Sequence, residues 1–378
     1  MPKSIVFCAD GTWNGPGQVE GHEVLGNATN VFKLFVNLDG ALSQADLALA
    51  DEQEKAAPDG SQIAKYIHGV GDSGNTLVRL LGGAVGAGIL TRILRGYTFI
   101  SRNYQPGDRI YIAGFSRGAY TARALAGMIA GAGVMDATKA DLTDKSNAYR
   151  LAAAVWYKYR KKTAPRKGLL ERLNSVIDEL PGFFSNTKPP PMLADVPIEA
   201  VAVWDTVGSL GIPVYMGENF PLDLFQFADT KLSPKVNHGV HFVAVDEQRE
   251  DFTPTLWQGD AERIEQTLFP GAHSDVGGGY PVTNAESGLS DWSLVDMQQR
   301  LTALGVRFAD PPPLATAASA IGPAHEPWRD PPFNHLNTCP RDNLKGLPTS
   351  QSFKDRKAGG NVRPDPRADP SAYNPANV

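Results

Sequence analysis

The sequence predicts an α/β fold in which helices flank a mostly parallel central sheet. Three observations support this expectation. Short runs of β-branched and aromatic residues alternate with longer segments of helical periodicity. Each run ends in a charged or turn residue, as strands of a parallel sheet do. The chain has 378 residues and 42% hydrophobic content, which is enough for one large buried core.

Four predicted elements precede the most informative motif of the chain. The run SIVFCA at Ser4–Ala9 is predicted to be a strand, and residues 30–38 a short helix. Residues 63–71 are a second strand candidate. Residues 77–103 combine glycines and alanines with apolar residues at helical spacing, which predicts a helix close to the sheet. Residues 40–60, rich in Ala, Asp, Gln and Glu, are expected to form a helix or a mobile insertion.

The motif itself is an apolar strand that runs into a glycine-flanked serine. Residues 108–117 read DRIYIAGFSR, and Gly118 leads into a helix of small residues that extends to about Gly133. In this strand–turn–helix context the pentapeptide from Gly114, G-x-S-x-G, predicts a nucleophile elbow that lifts the Ser116 hydroxyl above the end of the sheet. In the alternative interpretation the serine merely caps the helix of an ordinary tight turn.

Beyond the elbow helix the alternation of strands and helices is interrupted. Residues 136–193 contain an aromatic helical stretch and a strongly basic one, and they are predicted to form an inserted helical lid. The sheet resumes with three short strands at Ile198–Trp204, 241–245 and Ile264–Phe269. The main domain is therefore expected to span residues 1–309. The proline-rich residues 310–378 are expected to wrap around it, with about the last fifteen disordered.

A serine nucleophile needs a base, and the position of each histidine relative to the strands selects one. On this type of sheet the chain order is Ser, then Asp or Glu, then His, with acid and base at the carboxyl ends of strands. Among the seven histidines, His273 alone follows the last convincing strand after Ser116. His238 and His241 lie at the wrong end of a strand, and His325 is expected at the surface.

Two aspartates compete for the acid that orients this histidine. Asp205 follows Trp204 at the end of an apolar strand, where a lone carboxylate needs a partner. Asp246 follows the penultimate strand, the usual place for the acid, but the run from Asp246 to Arg249 also resembles a solvated, salt-bridging strand end. The residues favour Asp205 and leave Asp246 open. Asp275 is expected to cap a glycine turn, with support of the histidine or of a metal as the alternative.

An oxyanion hole needs two backbone N–H donors. One is expected at Arg117, directly after the nucleophile. The other is expected in the loop from Gly11 to Thr12 after the first strand, which Asp10 would hold by hydrogen bonds. The string Asp-Gly-Thr also ends the first strand of phosphatases of the haloacid dehalogenase type, which carry an attacking aspartate two residues earlier. Cys8 occupies that position here, so this chemistry lacks its nucleophile.

Taken together, these segments resemble the catalytic domain of the type VI secretion lipase effectors. The resemblance extends from about residue 3 to about residue 300 and rests on DGTWN (10–14), GVG (69–71), GFSRGA (114–119), VWDTVG (203–208), VAVDE (243–247) and FPGAHSDVGGGY (269–280). It implies an α/β-hydrolase-like fold with a triad of Ser116, Asp205 and His273, which raises Asp205 over Asp246. The chain departs from the family in its short, proline-rich C-terminus, where well-studied effectors carry membrane-associating regions.

The predicted activity is cleavage of carboxylic esters of lipids, above all glycerophospholipids, in a phospholipase A type reaction through an acyl-enzyme. The resemblance carries part of this prediction, and the lid carries the rest. Beside its aromatic residues lie four lipid-surface candidates, Lys158, Arg160, Lys161 and Lys162. The alternative is an ordinary solvated helix face. A soluble carboxylesterase for small acyl esters and a non-catalytic binding protein of the hydrolase fold are the other candidate functions.

Bulk properties limit the partners and the compartment. The net charge of −5 and the pI of about 5.8 argue against a nucleic-acid partner. The two cysteines, Cys8 and Cys339, lack metal-ligand spacing, and no metal or cofactor is predicted. No signal peptide or transmembrane helix is predicted, so synthesis in the cytoplasm is expected. The resemblance implies type VI export without a cleaved signal, secretion-apparatus and immunity proteins as partners, and a peripheral membrane contact.

Overall fold

A seven-stranded sheet forms the centre of the protein, with helices on both of its faces. The computed structural model describes residues 2–11, 27–42, 52–68, 84–163, 187–207, 230–331, 333–335 and 337–378. The strands are β1 (Ser4–Ala9), β2 (Glu52–Ala56), β3 (Gln62–Ile67), β4 (Arg109–Phe115), β5 (Val134–Met135), β6 (Met192–Leu193), β7 (Ile198–Trp204), β8 (Val236–Ala244), β9 (Ile264–Phe269), β10 (Asn361–Val362) and β11 (Ser371–Ala372).

The helices alternate with these strands along most of the chain. They are α1 (Asn30–Asn37), α2 (Ala84–Asn103), α3 (Arg117–Ala132), α4 (Lys145–Thr163), α5 (His273–Gly277), α6 (Gly288–Ala303) and α7 (Gln351–Ala358), with short 3₁₀ turns at Glu250–Phe252, Thr283–Ala285 and Pro327–Arg329. Among the helices described, none combines the length and the apolar character that crossing a bilayer requires.

The strand order places the predicted catalytic segments along one edge. The order is β2-β3-β1-β4-β7-β8-β9, and every neighbouring pair is parallel except β2 with β3. In the register of β4 and β7, Phe115 lies opposite Trp204. Because parallel strands end at the same edge of a sheet, the residues that follow β1, β4, β7 and β9 are gathered there. The expected α/β architecture with a mostly parallel sheet is confirmed.

Both faces of the sheet are buried, and β1 shows how the two cores divide. Its side chains alternate, so Ile5 and Phe7 pack under α2, α3 and α4, while Val6 and Cys8 pack under α1 and α6. All six residues of this strand are buried. A strand buried on both faces needs a continuous apolar run instead of an alternating one, which is what SIVFCA supplies.

The expectation for residues 40–60 is wrong where the structure describes them. Residues 52–56 form the edge strand β2, antiparallel to β3, and residues 43–51 lie outside the described part. The inward positions of β2 are Gln53 and Lys55 instead of apolar residues, so the apolar alternation of a strand is missing from the sequence. The buried Lys55 ammonium donates to the carbonyls of Val36 and Leu38 at 2.9 and 2.5 Å, at the end of α1.

The longest described part of the predicted lid is a core helix. Helix α4 packs on α2 and α3, and its Ala152 and Trp156 are buried in the same core as those helices. The ring of Tyr159 occupies the space that a side chain at Gly131 would take. Of the rest of the predicted lid, residues 187–193 are described and include β6, and residues 164–186 lie outside the described residues.

The proline-rich extension packs along the last strand of the sheet. Leu268 in β9 donates to Pro348 and accepts from Ser350, at 2.8 and 2.9 Å. Phe353 joins Leu268 in a small apolar cluster. The final fifteen residues, for which the composition predicts disorder, include β11 and the side chain of Asn377, which donates to Val245 at 3.0 Å. Side-chain contacts that composition does not show hold this segment.

Candidate active site

Ser116 lies in the turn between β4 and α3, in a backbone conformation that side chains rarely adopt. Its φ and ψ are 57° and −123°, and such a conformation costs a non-glycine residue about 1–3 kcal/mol. A Cβ at Gly114 would clash with the backbone of Gly118, and a Cβ at Gly118 would clash with the carbonyl of Ala9 at the end of β1. The two flanking glycines are therefore required by the close passage of the backbone.

Asp205 follows β7 and is completely buried. One carboxylate oxygen accepts from the N–H of Ala244 in β8 at 2.9 Å, and the other lies 2.5 Å from Nδ1 of His273. Arg341, from the proline-rich extension, donates to both oxygens, at 2.7 and 2.9 Å. The carboxylate therefore contacts the predicted base on one side and a guanidinium on the other.

The environment keeps this carboxyl ionised. Burial by itself would raise the pKa of Asp205, but the charge of Arg341 and the hydrogen bonds from His273 and Arg341 outweigh it. The pKa of Asp205 is therefore held well below its ordinary value. An ionised carboxylate at Nδ1 of an imidazole is the arrangement that fixes the tautomer of a catalytic histidine.

The turn that carries Asp205 is braced from β8 by His241. Its Nε2 accepts the N–H of Thr206 at 3.0 Å, and its side chain is fully buried. Burial, helped by the charge of Arg123, lowers the pKa of His241 to about 3, so the ring is neutral and accepts at Nε2. His241 lies inside the strand, consistent with its exclusion as a base from the sequence.

His273 begins helix α5, the first helix after β9, and lies between two aromatic rings. The ring centroids of Phe115 and Phe252 are 4.5 and 5.0 Å from that of the imidazole. Burial lowers the pKa of His273, while the hydrogen bond and charge of Asp205 partly offset this effect. The ring is therefore neutral at pH 7. Because Nδ1 faces the Asp205 carboxylate, that nitrogen carries the hydrogen and Nε2 is the acceptor.

The three predicted catalytic segments meet at the same edge of the sheet. The N–H of Ser116 donates to the carbonyl of Trp204 at 3.2 Å, one residue before Asp205. The ring of Phe115, one residue before the serine, contacts the His273 imidazole. Segments far apart in the chain are thus adjacent in the fold, as the predicted order of serine, acid and base requires.

A buried ion pair that the sequence did not reveal holds the backbone of the histidine. Glu247 and Arg249 form a two-bond contact at 2.8 and 2.7 Å, and both side chains are buried. Glu247 also accepts the N–H of His273 at 3.1 Å. The interpretation of this run as a solvated, salt-bridging strand end is therefore right about the ion pair and wrong about the solvation. The guanidinium of Arg249 lies 3.5 Å from the ring centroid of Phe252, the ring that also contacts the His273 imidazole.

The predicted oxyanion donors are only partly described. Arg117 begins α3, and the first N–H groups of a helix point out of its start. The N–H of Gly11 donates to the Asp10 carboxylate at 2.7 Å, and Thr12 lies outside the described residues. Asp10 also accepts from the hydroxyl of Tyr66 at 2.6 Å. Burial raises the pKa of Asp10 to about 7, although its hydrogen bonds act in the opposite direction.

Asp246, the alternative acid, holds the turn before the histidine instead of contacting its ring. One of its oxygens accepts the N–H of Gly271 at 2.7 Å and the hydroxyl of Tyr373 at 2.9 Å. Burial raises the pKa of Asp246 to about 6. The imidazole contact therefore belongs to Asp205.

Asp275 caps helix α5 and binds a second histidine. It accepts the N–H of Ala272 at 2.8 Å, as expected for a capping residue, and it lies 2.7 Å from Nδ1 of His325. The expectation that His325 lies at the surface is wrong, because this side chain is buried and stacks on Tyr280 with a centroid distance of 3.4 Å. Within the described residues, no three His, Cys, Asp or Glu side chains are grouped as metal ligands.

The structure changes the composition of the predicted lipid surface. Lys158, Lys161 and Lys162 are exposed on α4. Arg160 is 5% exposed and its side chain is buried, so its assignment to this surface is wrong. The neighbouring Trp156 is also buried, because helical periodicity turns these two residues towards α3. The exposed face is therefore basic, with little of the aromatic character that the sequence predicted.

Sequence reasoning missed Arg341 altogether. It lies in a proline-rich stretch without apolar periodicity, 136 residues from Asp205 in the chain. A polar pair at such a separation leaves no local pattern. The one available signal was the lone carboxylate after an apolar strand, which requires a cation without saying which one.

Comparisons with known proteins relate most of the chain to one protein family. The sequence model described as "T6SS, Phospholipase effector Tle1-like, catalytic domain" matches residues 3–300. The uncharacterised protein YEL023C of Saccharomyces cerevisiae is 27% identical over 263 residues, which cover 66% of this chain and 32% of that protein. The chain therefore spans about a third of the length of this curated relative.

Two solved structures are similar at low identity. An uncharacterised protein from Pseudomonas aeruginosa is 17% identical, with a TM-score of 0.41 over 81% of this chain and 46% of its own. The Tle1 effector, in a structure bound to the VgrG spike of the type 6 secretion system, is 19% identical, with a TM-score of 0.35 over 74% of this chain and 51% of its own. The chain spans about half the length of each.

Proposed function

The chain belongs to the family of type VI secretion phospholipase effectors with a Tle1-like catalytic domain, and from this premise we propose that it is a serine hydrolase of α/β-hydrolase type that cleaves carboxylic esters of glycerophospholipids. The proposed triad is Ser116, Asp205 and His273. Family membership supports lipid hydrolysis in general. The geometry at the sheet edge supports the serine mechanism.

One observation carries the proposal. A buried, ionised Asp205 lies 2.5 Å from Nδ1 of His273, at the edge where Ser116 occupies a strained turn. The burial of a carboxylate beside an imidazole costs desolvation free energy. If these two residues had only a structural role, a pair of apolar side chains could fill the same space. Strained residues and perturbed titratable groups that share one edge are typical of a catalytic centre.

In the proposed acylation step, Nε2 of His273 takes the hydroxyl proton of Ser116 as Oγ attacks the ester carbonyl. The C–O bond to the alcohol then breaks, and the imidazolium returns the proton to the leaving oxygen. Asp205 holds Nδ1–H throughout and stabilises the transient cation. Water then attacks the acyl-serine with the same histidine as base and releases the fatty acid.

The oxyanion of each tetrahedral intermediate needs donors preorganised at the start of α3. Arg117 supplies the first N–H in this proposal. Gly11 and Thr12 are the candidates for the second, and the present bond from the Gly11 N–H to Asp10 has to be exchanged for one to substrate. Removal of one such donor costs about 100- to 1,000-fold in rate in a serine hydrolase.

The membrane contact in this proposal is limited to the exposed basic face of α4. Lys158, Lys161 and Lys162 carry three charges there, each worth about 1 kcal/mol near an anionic bilayer surface. With Arg160 and Trp156 buried, the contact is electrostatic and peripheral. It should weaken as salt is added.

The cellular role follows from the family and not from the site. As a type VI effector, the protein would be made in the cytoplasm and exported without a cleaved signal. Its partners would then be a component of the secretion apparatus and, in the producing cell, an immunity protein. Positional choice on the phospholipid stays within the phospholipase A class.

A soluble carboxylesterase is the second candidate, and the lid region favours it. Of the three aromatic side chains expected at the lipid surface, Trp156 is buried in the core, and Tyr157 and Tyr159 are half-buried. This version of the enzyme would cleave short water-soluble esters and gain no rate at a bilayer surface.

The test measures fatty acids released from vesicles of phosphatidylcholine and phosphatidylglycerol, beside hydrolysis of a 4-nitrophenyl butyrate. Ser116→Ala is the active-site variant. Ser101→Ala, at a buried serine of α2 whose hydroxyl accepts from Met135, is the matched control. Fatty-acid release lost in Ser116→Ala alone supports the phospholipase. Butyrate cleavage without fatty-acid release supports the carboxylesterase, and activity retained in Ser116→Ala contradicts both.

A further inference from the structure

The proline-rich extension supplies a side chain to the catalytic edge. Arg341 lies beyond residues 3–300, which the family model matches, and its side chain is buried. Its two terminal nitrogens donate to the two oxygens of Asp205 at 2.7 and 2.9 Å. This two-bond fork is the strongest hydrogen-bond geometry between a guanidinium and a carboxylate.

The same guanidinium also ties together the backbone around the acid. Nη1 donates to the carbonyl of Ala244 at 2.6 Å, and Nη2 donates to the carbonyl of Phe252 at 2.5 Å. Ala244 in turn donates its N–H to Asp205, and the ring of Phe252 packs on His273. Arg341 therefore fixes the plane of the carboxylate relative to the imidazole, and it fixes one wall of the imidazole pocket.

Arg356 shows what a purely structural arginine of the extension looks like. It is fully buried, and its terminal nitrogens donate to the carbonyls of Ala320, Gly322 and Arg363, at 3.0, 2.6 and 2.9 Å. These three hydrogen bonds all lie within the extension. Arg341 has the same chemistry and burial but contacts the proposed catalytic acid.

We propose that Arg341 is a positioning residue of the triad, so that the catalytic unit of this protein includes its C-terminal extension. This inference rests on the proposed serine mechanism. Arg341 acts through Asp205, which it holds in the plane that faces Nδ1 of His273. A chain cut at the end of the family-matched region would lack this contact.

The charge of Arg341 has a measurable consequence at the histidine. The charged groups around His273 and Asp205 are the carboxylates of Asp205 and Glu247 and the guanidinium groups of Arg249 and Arg341. Removal of the Arg341 cation leaves the negative charge of Asp205 less compensated. The pair of Asp205 and His273 should then bind its proton at higher pH, whichever of the two residues carries it.

The experiment follows the titration of His273 by NMR, with carbon-13 at the histidine Cε1 positions and assignment by loss of one signal in His273→Gln. Wild type is compared with Arg341→Met and with the matched control Arg356→Met. We expect a rise of roughly one pH unit in the apparent pKa of His273 in Arg341→Met and none in Arg356→Met. Both variants should lower Tm, so stability alone does not separate them.

Kinetics on 4-nitrophenyl butyrate complete the test. Arg341→Met should lose about 100-fold in kcat/KM, chiefly in kcat. The acid limb of its pH–rate profile should move to higher pH. Arg341→Lys keeps the charge but not the fork, so it should leave the His273 titration near that of wild type and lose part of kcat. If Arg341→Met does not fold, the kcat of Arg341→Lys still tests the inference.

Two results overturn the inference: a His273 titration in Arg341→Met that matches wild type, or an Arg341→Lys enzyme with the full wild-type kcat. The titration needs no turnover. A protein without serine-dependent esterase activity would therefore count against the proposed function, while the NMR comparison would still decide whether Arg341 acts on the pair.

Discussion

Two buried aspartate–histidine pairs in this molecule have similar contacts, but the pKa of the histidine is lowered in one pair and raised in the other. In one, Asp205 lies 2.5 Å from Nδ1 of His273, and in the other, Asp275 lies 2.7 Å from Nδ1 of His325. The first pair is at the sheet edge beside Ser116. The second joins helix α5 to the proline-rich extension.

The difference lies in what surrounds each ring. His273 is packed between two phenylalanines, and burial lowers its pKa despite the carboxylate. His325 faces a second carboxylate, Glu286, 3.4 Å from Nε2. Burial opposes its charge, but the hydrogen bonds and charges of Asp275 and Glu286 outweigh this effect and raise the pKa of His325.

An aspartate–histidine contact therefore does not by itself make a base. A base must be neutral at working pH and must offer its second nitrogen to substrate. His273 meets the first condition and, by its tautomer, has Nε2 as acceptor. His325 tends towards the cation and places both nitrogens against carboxylates. It works as a clasp between two segments of the chain.

The largest expected effect comes from removing each histidine in turn. His273→Gln should lower kcat/KM for 4-nitrophenyl butyrate by about 10,000-fold, because the serine loses its base. His325→Gln should leave kcat/KM within about threefold and reduce the free energy of unfolding by about 2 kcal/mol through lost buried hydrogen bonds. Steady-state kinetics and urea unfolding of the two variants measure these effects. Equal losses of activity would erase the functional distinction between the pairs.

The aspartates should separate in the same way, with a somewhat smaller effect. Asp205→Asn should lower kcat by about 1,000- to 10,000-fold, because an amide does not hold the imidazole in the tautomer with hydrogen on Nδ1 and a free acceptor at Nε2. Asp275→Asn and Asp246→Asn should each lose less than about tenfold, since these residues hold backbone. A larger loss in Asp246→Asn than in Asp205→Asn, measured on folded protein, would return the acid to Asp246.

The smallest effect is a difference in the pH dependence of stability. The pKa of His325 is raised on folding, so its contribution is fully present below the ordinary histidine value and is lost as pH rises through the folded value. The difference in unfolding free energy between wild type and His325→Gln should therefore shrink from pH 5.5 to pH 8, about the range of histidine titration. Asp10 and Asp246 titrate near this range in both proteins and cancel in the difference. A difference that grows with pH would show that His325 is buried neutral.

The parts of the fold with local apolar patterns could be predicted from the sequence. The bounds of β1, β7 and β9 match the predicted runs, because these strands are buried on both faces or end at a turn. The positions of Asp205 and His273 followed from where those strands end. Local pattern and strand polarity were sufficient to select His273, whereas the choice of Asp205 over Asp246 also rested on the resemblance to the effector family.

The rest could not be predicted, because it depends on polar contacts between distant segments. In β2 the buried positions are occupied by the polar residues Gln53 and Lys55, so the sequence lacks the apolar alternation that indicates a strand. Arg341 and His325 lie in stretches without periodicity, and their partners are 136 and 50 residues away. Desolvation and pairing of such groups are decided by the assembled fold, so composition alone assigns them to the surface.

The most direct test of the triad is labelling with a fluorophosphonate, followed by peptide mass spectrometry. The reagent modifies a serine only when a base activates it. Wild type and His325→Gln should be labelled on Ser116 at near one equivalent, and His273→Gln should not be labelled. An unlabelled wild-type protein, or labelling that persists in Ser116→Ala, would contradict a serine hydrolase centre built from Ser116, Asp205 and His273.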